Sequence, residues 1–159
     1  MASRRVRIVV WLAISFAVVA IVATAGIAFV VLRTVNSTPA TAASAAESFG
    51  EIRKLYPGRA PLIEIRNMQR GEFQINRAPA APRKKVETIH FAFWDHEDQK
   101  LVRGEAPIWI TQVRVSLTGV GNWSFSDFHV TREDIERYSP GILMDFAPPG
   151  GGHVLVWTR

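Results

Sequence analysis

Between Ile8 and Leu32 the chain runs for 25 residues without a charge, a proline or a side-chain amide. Only Ser15 and Thr24 carry hydroxyls there, and each can bond back to its own helix. A helix of this length rises about 37 Å at about 1.5 Å per residue, more than the roughly 30 Å of a bilayer's hydrocarbon core. Fifteen of these residues are Leu, Ile, Val or Phe. At roughly −0.3 to −0.6 kcal/mol each they favour insertion by something on the order of −5 to −9 kcal/mol. The run predicts a transmembrane helix over residues 8–32, with the lipid bilayer as the first partner.

A cleaved secretory signal is the rival reading, because Ala43, Ser44 and Ala45 form a small-x-small site. However, the apolar run exceeds the roughly 7 to 15 residues of a signal core, Arg33 closes it, and the site lies well beyond that arginine. An uncleaved anchor is expected instead. Arg4, Arg5 and Arg7 precede the span and Arg33 alone follows it closely, so residues 1–7 are expected in the cytoplasm. The expected localisation is a bacterial cell membrane, crossed once, with the rest of the chain outside the cytoplasm. Residues 33–45, small and polar, are expected to be a tether, and residues 46–159 one extracytoplasmic domain. That domain divides by charge into a basic membrane-proximal part, 46–82, and an acidic distal part, 83–159.

The pI of 10.2 invites a nucleic-acid hypothesis. Setting aside the four arginines that flank the span leaves fifteen bases against fourteen acids. The basic pI is mostly membrane topology, and nucleic-acid binding loses its electrostatic support. Within the exported part, residues 46–85 hold nine bases and four acids, whereas 86–159 hold six bases and ten acids. The basic half could meet anionic head groups, at about 1 kcal/mol per residue. Solvation, or pairing between the two halves, is the preferred reading.

The exported chain reads as α+β: a small, mainly antiparallel sheet with one or two short helices. Phe49, Ile52, Leu55 and Tyr56 form the stripe of a short helix that Pro57 and Gly58 end. Leu62–Met68 and Phe73–Asn76 flank a glycine turn as a hairpin. Ile89, Phe91 and Phe93 alternate with His90, Ala92 and Trp94 as a half-buried strand, and "DHEDQK" is the wet tip joining it to "LVR". Residues 108–117 are β-branched and read as a strand, although Pro107 leaves a helix open. Thr131, Asp134, Val130 and Ile135 specify a capped, stapled helix, with Glu133 and Arg137 paired along it. "ILMDF" and "HVLVWTR" are expected as the final strands.

No chemical motif is complete. The zincin spacing from His96 fails at Lys100, and a calcium loop from Asp95 fails at Lys100 and Ala106. No metal site and no cofactor are expected. Ser124 and Ser126 lack the glycines of a nucleophile elbow, and the absence of cysteine removes thiol chemistry. Should the chain be an enzyme, His90, Asp95 and His96 are the residues for acid–base or metal-assisted hydrolysis, provided the fold gathers them. Trp94, Trp109, Trp123 and Trp157 suit either a core or, if exposed, a glycan or protein contact. Inside the span, Ala13, Ala17, Ala20, Thr24 and Ala28 form a ridge of small residues that suits self-association or docking to another membrane protein. A binding or assembly module on a single-pass anchor is the expected function, with a cell-wall or glycan binder and a hydrolase as alternatives.

Overall fold

The computed structural model describes residues 35–68, 70–112, 115–117, 121–149 and 151–159. The expected span 8–32, and with it the ridge Ala13, Ala17, Ala20, Thr24 and Ala28, lies outside the described residues. Among the described residues, no helix is long and apolar enough to cross a membrane.

The strands are β1 (Asn36–Pro39), β2 (Ile63–Asn67), β3 (Glu72–Ile75), β4 (Thr88–Asp95), β5 (Lys100–Pro107), β6 (Val115–Leu117), β7 (Gly121–Trp123), β8 (Gly141–Phe146) and β9 (His153–Thr158). The helices are α1 (Ala42–Lys54) and α2 (Arg132–Tyr138). Seven strands form one sheet in the order β1-β5-β4-β9-β8-β2-β3, and β6 pairs with β7 apart from it. Every pairing is antiparallel except β2 with β8, which run parallel through Ile63 and Met144. The arrangement is α+β as expected, but the sheet is mixed.

Two separate cores sandwich the sheet. On one face Ile89, Phe93, Met144, Phe146, Val154 and Val156 pack with Phe125, Phe128, Ile135 and Tyr138. On the other, Ala92, Leu101, Ile142, Leu155 and Trp157 pack with Ala45 and Phe49 of α1. The alternation in β4 is therefore real, but the strand is central and not half-buried. Its second face, His90, Ala92 and Trp94, is covered as well, which a pattern of polar and small residues does not announce.

The expected tether carries structure of its own. β1 pairs with β5 from Asn36–Arg103 to Pro39–Lys100, and Thr41 then caps α1 by accepting from the Ser44 amide. α1 thus begins at Ala42, about two turns before the first residue of the stripe, because Ala45 extends the buried face toward its start. Leu55, expected on that stripe, is 61% exposed, since the helix ends at Lys54 and the chain turns away.

Residues 108–117 form neither one strand nor an α-helix. Ile108–Gln112 is a 3₁₀ turn and β6 follows. Pro107 still pairs with Thr88, the Ile108 amide donates to Glu87, and Ile108 and Thr111 are buried three residues apart. A three-residue period suits a 3₁₀ turn better than a strand. α2 follows its sequence signals closely, with the reciprocal Thr131–Asp134 capping box in place.

Candidate functional site

The hairpin between β4 and β5 places the expected acid–base residues apart. The ladder runs unbroken from Thr88–Pro107 to Asp95–Lys100, and the tip is closed by Asp95, whose Oδ1 accepts from the amides of Glu97 and Asp98. His96 lies at this tip, T-shaped to Trp94 with ring centroids 6.3 Å apart, and it sits against Gly151. His90 is six residues back along the strand, about 20 Å at roughly 3.3 Å per residue. It stacks on Trp157 at 5.5 Å, with Nδ1 3.2 Å from Glu105. Burial lowers the His90 pKa below its usual value, against the raising effect of the Glu105 carboxylate. The three residues share one β-hairpin, but the length of β4 keeps His90 from the other two.

Among the described side chains, Trp94, Trp109 and Trp157 form no exposed row. Trp157 is buried beneath α1, and Trp94 packs against the same cluster on that face while its Nε1 donates to the Ala40 carbonyl at 3.1 Å. Trp109, in the 3₁₀ turn, is 51% exposed. The backbone of Trp123 ends β7, and its side chain lies outside the description.

A cluster that the motifs did not point to lies on the α1 face. Asp145 of β8 receives Nε of Arg53 on Oδ2 at 2.6 Å and Nη2 on Oδ1 at 2.8 Å, a bidentate pair between α1 and the sheet. His153 of β9 brings Nε2 to 2.7 Å from Oδ1, and its ring lies 4.3 Å from that of Phe49. Burial alone pushes the Asp145 carboxyl up; the bonds from His153 and Arg53 more than offset it and hold the group at about 2. Arg53 Nη2 also stands 3.0 Å from His153 Nε2. One ring nitrogen cannot accept from Arg53 while donating to Asp145, and the carboxylate has only lone pairs to offer. His153 therefore donates Nε2–H to Asp145, and its approach to Arg53 is that of two donors around one anion. The arrangement pins α1 to the sheet.

One sequence signal pointed there. Asp145 interrupts "ILMDF", and a carboxylate inside an otherwise buried strand requires partners.

The charge asymmetry resolves into pairing. Arg53 meets Asp145, Arg77 meets Asp134 at 3.1 Å, and Arg83 meets Glu133, each joining the basic segment to the acidic one. Arg137 holds Glu133 as well and donates to the carbonyls of Pro79 and Ala81, strapping the connector onto α2. The basic stretch is largely occupied inside the domain, which weakens the lipid-contact reading. Among the described residues no group of three His, Asp or Glu side chains is placed to hold a metal ion.

Comparison with protein-family models, with curated proteins and with solved structures finds no match for this chain.

Proposed function

We propose that the chain is a single-pass membrane-anchored protein whose α+β domain, displayed outside the cytoplasm, acts as a binding or assembly module. The observation that carries this reading is the uncharged 25-residue run at Ile8–Leu32 with three arginines before it and one after. Three residues, Arg33 to Val35, separate that run from β1. The small-residue ridge supports helix association within the bilayer, with a second copy or another membrane protein as partner.

The site geometry favours a module over the two alternatives. His90 is separated from Asp95 and His96, and Trp94 and Trp157 serve the core beneath α1. The polar cluster Arg53–Asp145–His153 is used in holding a helix to the sheet.

The test is alkaline extraction of membranes from expressing cells. The native chain is expected in the pellet. Replacing Val18 and Val19 by arginine, at roughly 2.5 to 3.5 kcal/mol each, is expected to release it. A native chain found in the supernatant refutes the anchor. Affinity purification of the detergent-solubilised protein then reads the partner: a stoichiometric co-purifying protein supports the module, and turnover of a peptidoglycan or ester substrate overturns it.

A further inference from the structure

The sheet ends at β3, and the way it ends is self-complementary. Ile63 pairs with Ile75, and the amide of Asn76 donates to the Leu62 carbonyl at 2.8 Å. A bond from the residue after one partner to the residue before the other marks Ile63–Ile75 as a pair without direct hydrogen bonds. Glu64–Gln74 is then the bonded pair, so Gln74 turns its amide and carbonyl toward β2 while Phe73 and Ile75 turn theirs outward. Among the described residues no strand pairs with that outer edge. Phe73 and Ile75 also remain partly exposed there while packing on the first core, with Phe73 set edge-on to Phe128 at 5.1 Å.

We propose that β3 is a homodimerisation edge that pairs antiparallel with β3 of a second copy, with Gln74 on the two-fold axis. In that register Phe73 of one copy faces Ile75 of the other, and the two outward residues of each strand exchange four backbone hydrogen bonds. The symmetric alternatives, centred on Phe73 or on Ile75, use one of the outward residues less fully. Charge agrees with the same register. Glu72 faces Asn76 and Arg70 faces Ala78 of the second copy, so no like charges stand directly opposite. The odd-numbered face brings apolar Phe73 and Ile75 together, and the even-numbered face brings amide against amide at Gln74. A four-residue edge makes a small interface, below the roughly 1,200 Å² of weak complexes. Two chains held in one bilayer raise the effective concentration that favours it, and in this it rests on the membrane reading above.

The chain contains no cysteine, which makes the register directly readable. In a pair without direct hydrogen bonds the Cα atoms approach to about 4.5 Å, within disulfide reach. Full-length Gln74→Cys in native membranes, treated with a mild oxidant, is expected to give at least ten times the disulfide dimer of Glu51→Cys on exposed α1. Glu72→Cys and Asn76→Cys are expected to cross-link when the two chains are co-expressed and not singly. Adding Ile75→Pro to Gln74→Cys removes an outward amide without removing a β2–β3 bond, and is expected to abolish the dimer. The co-expression pair reads the same register without a proline.

Equal dimer from Gln74→Cys and Glu51→Cys, or self-linking by Glu72→Cys alone, overturns the proposal. Fractionating the same sample keeps the two readings apart. Membrane-bound chain without the dimer sinks the edge alone, and soluble chain with the dimer sinks the anchor alone.

Discussion

His153 Nε2 lies 2.7 Å from Asp145 Oδ1 across neighbouring strands, on the face where Arg53 of α1 grips the same carboxylate. This contact joins the helix nearest the apolar run in sequence to the centre of the sheet. Asp145→Asn keeps the shape and removes the charge, leaving Arg53 and His153 without their anion. The expected cost is about 1.5–3 kcal/mol, toward the low end because Arg53 is partly exposed. Thermal unfolding of the detergent-solubilised chain, followed by circular dichroism, reads it; an unchanged midpoint refutes the pinning role.

The same carboxylate sets an acid limit. Its folded-state pKa of about 2 lies below the ordinary 3.8, so the unfolded chain binds the proton more readily. The stability it contributes is fully present above about pH 4 and is lost as pH falls toward 2. In Asp145→Asn that component of the acid dependence is expected to disappear, as unfolding midpoints measured between pH 5 and 2 will show.

His90 acts in the same direction for a different reason. Burial lowers its pKa from the ordinary 6.5, so the folded state resists the proton that the unfolded state accepts. Its contribution to stability is complete above 6.5 and declines as pH drops through the lowered value. An NMR titration of the His90 ring is expected to give a midpoint under 6.5; a midpoint above it would mean that the Glu105 carboxylate outweighs burial.

Gly151 has φ +82°, and a Cβ added there would lie 2.8 Å from Cγ of His96. Gly151→Ala is expected to destabilise by about 1–2 kcal/mol through backbone strain and that clash. Adding His96→Ala should relieve the contacts with Cγ and Nδ1 and leave the strain together with the milder 3.2 Å contact with Cβ. Full recovery, or none, in a double-mutant cycle of unfolding midpoints contradicts this division.

Much of the fold was legible in the sequence where local signals and tertiary packing agree. The Thr131–Asp134 box, the Asp95–Lys100 tip and the two last strands each follow from residues within a few positions of one another. What was not legible depended on distant partners. The segment before Ala46 reads as a tether because it has little to bury, yet β5 offers it an edge and Thr41 offers α1 a cap. Residues 108–117 carry β-branched side chains, but burial of Ile108 and Thr111 sets a period of three. The Arg53–Asp145–His153 cluster spans 100 residues of sequence and has no spacing to read. Only the lone aspartate in a buried strand pointed to it.

Trp109 bears on the glycan alternative. Iodide is expected to quench its emission, with Trp94 and Trp157 shielded by α1. Trp109→Phe should therefore reduce the quenchable fraction more than Trp157→Phe does. The reverse order would place the buried tryptophans at the surface and reopen a stacking site for sugars.

Which side of the membrane the domain occupies is the question on which the proposed function turns, and the lack of native cysteine allows it to be asked with one substitution. Leu55→Cys, at an exposed position after α1, is to be labelled with a membrane-impermeant maleimide in intact spheroplasts. Labelling equal to that after lysis is the expected result; labelling that appears only after lysis contradicts the account.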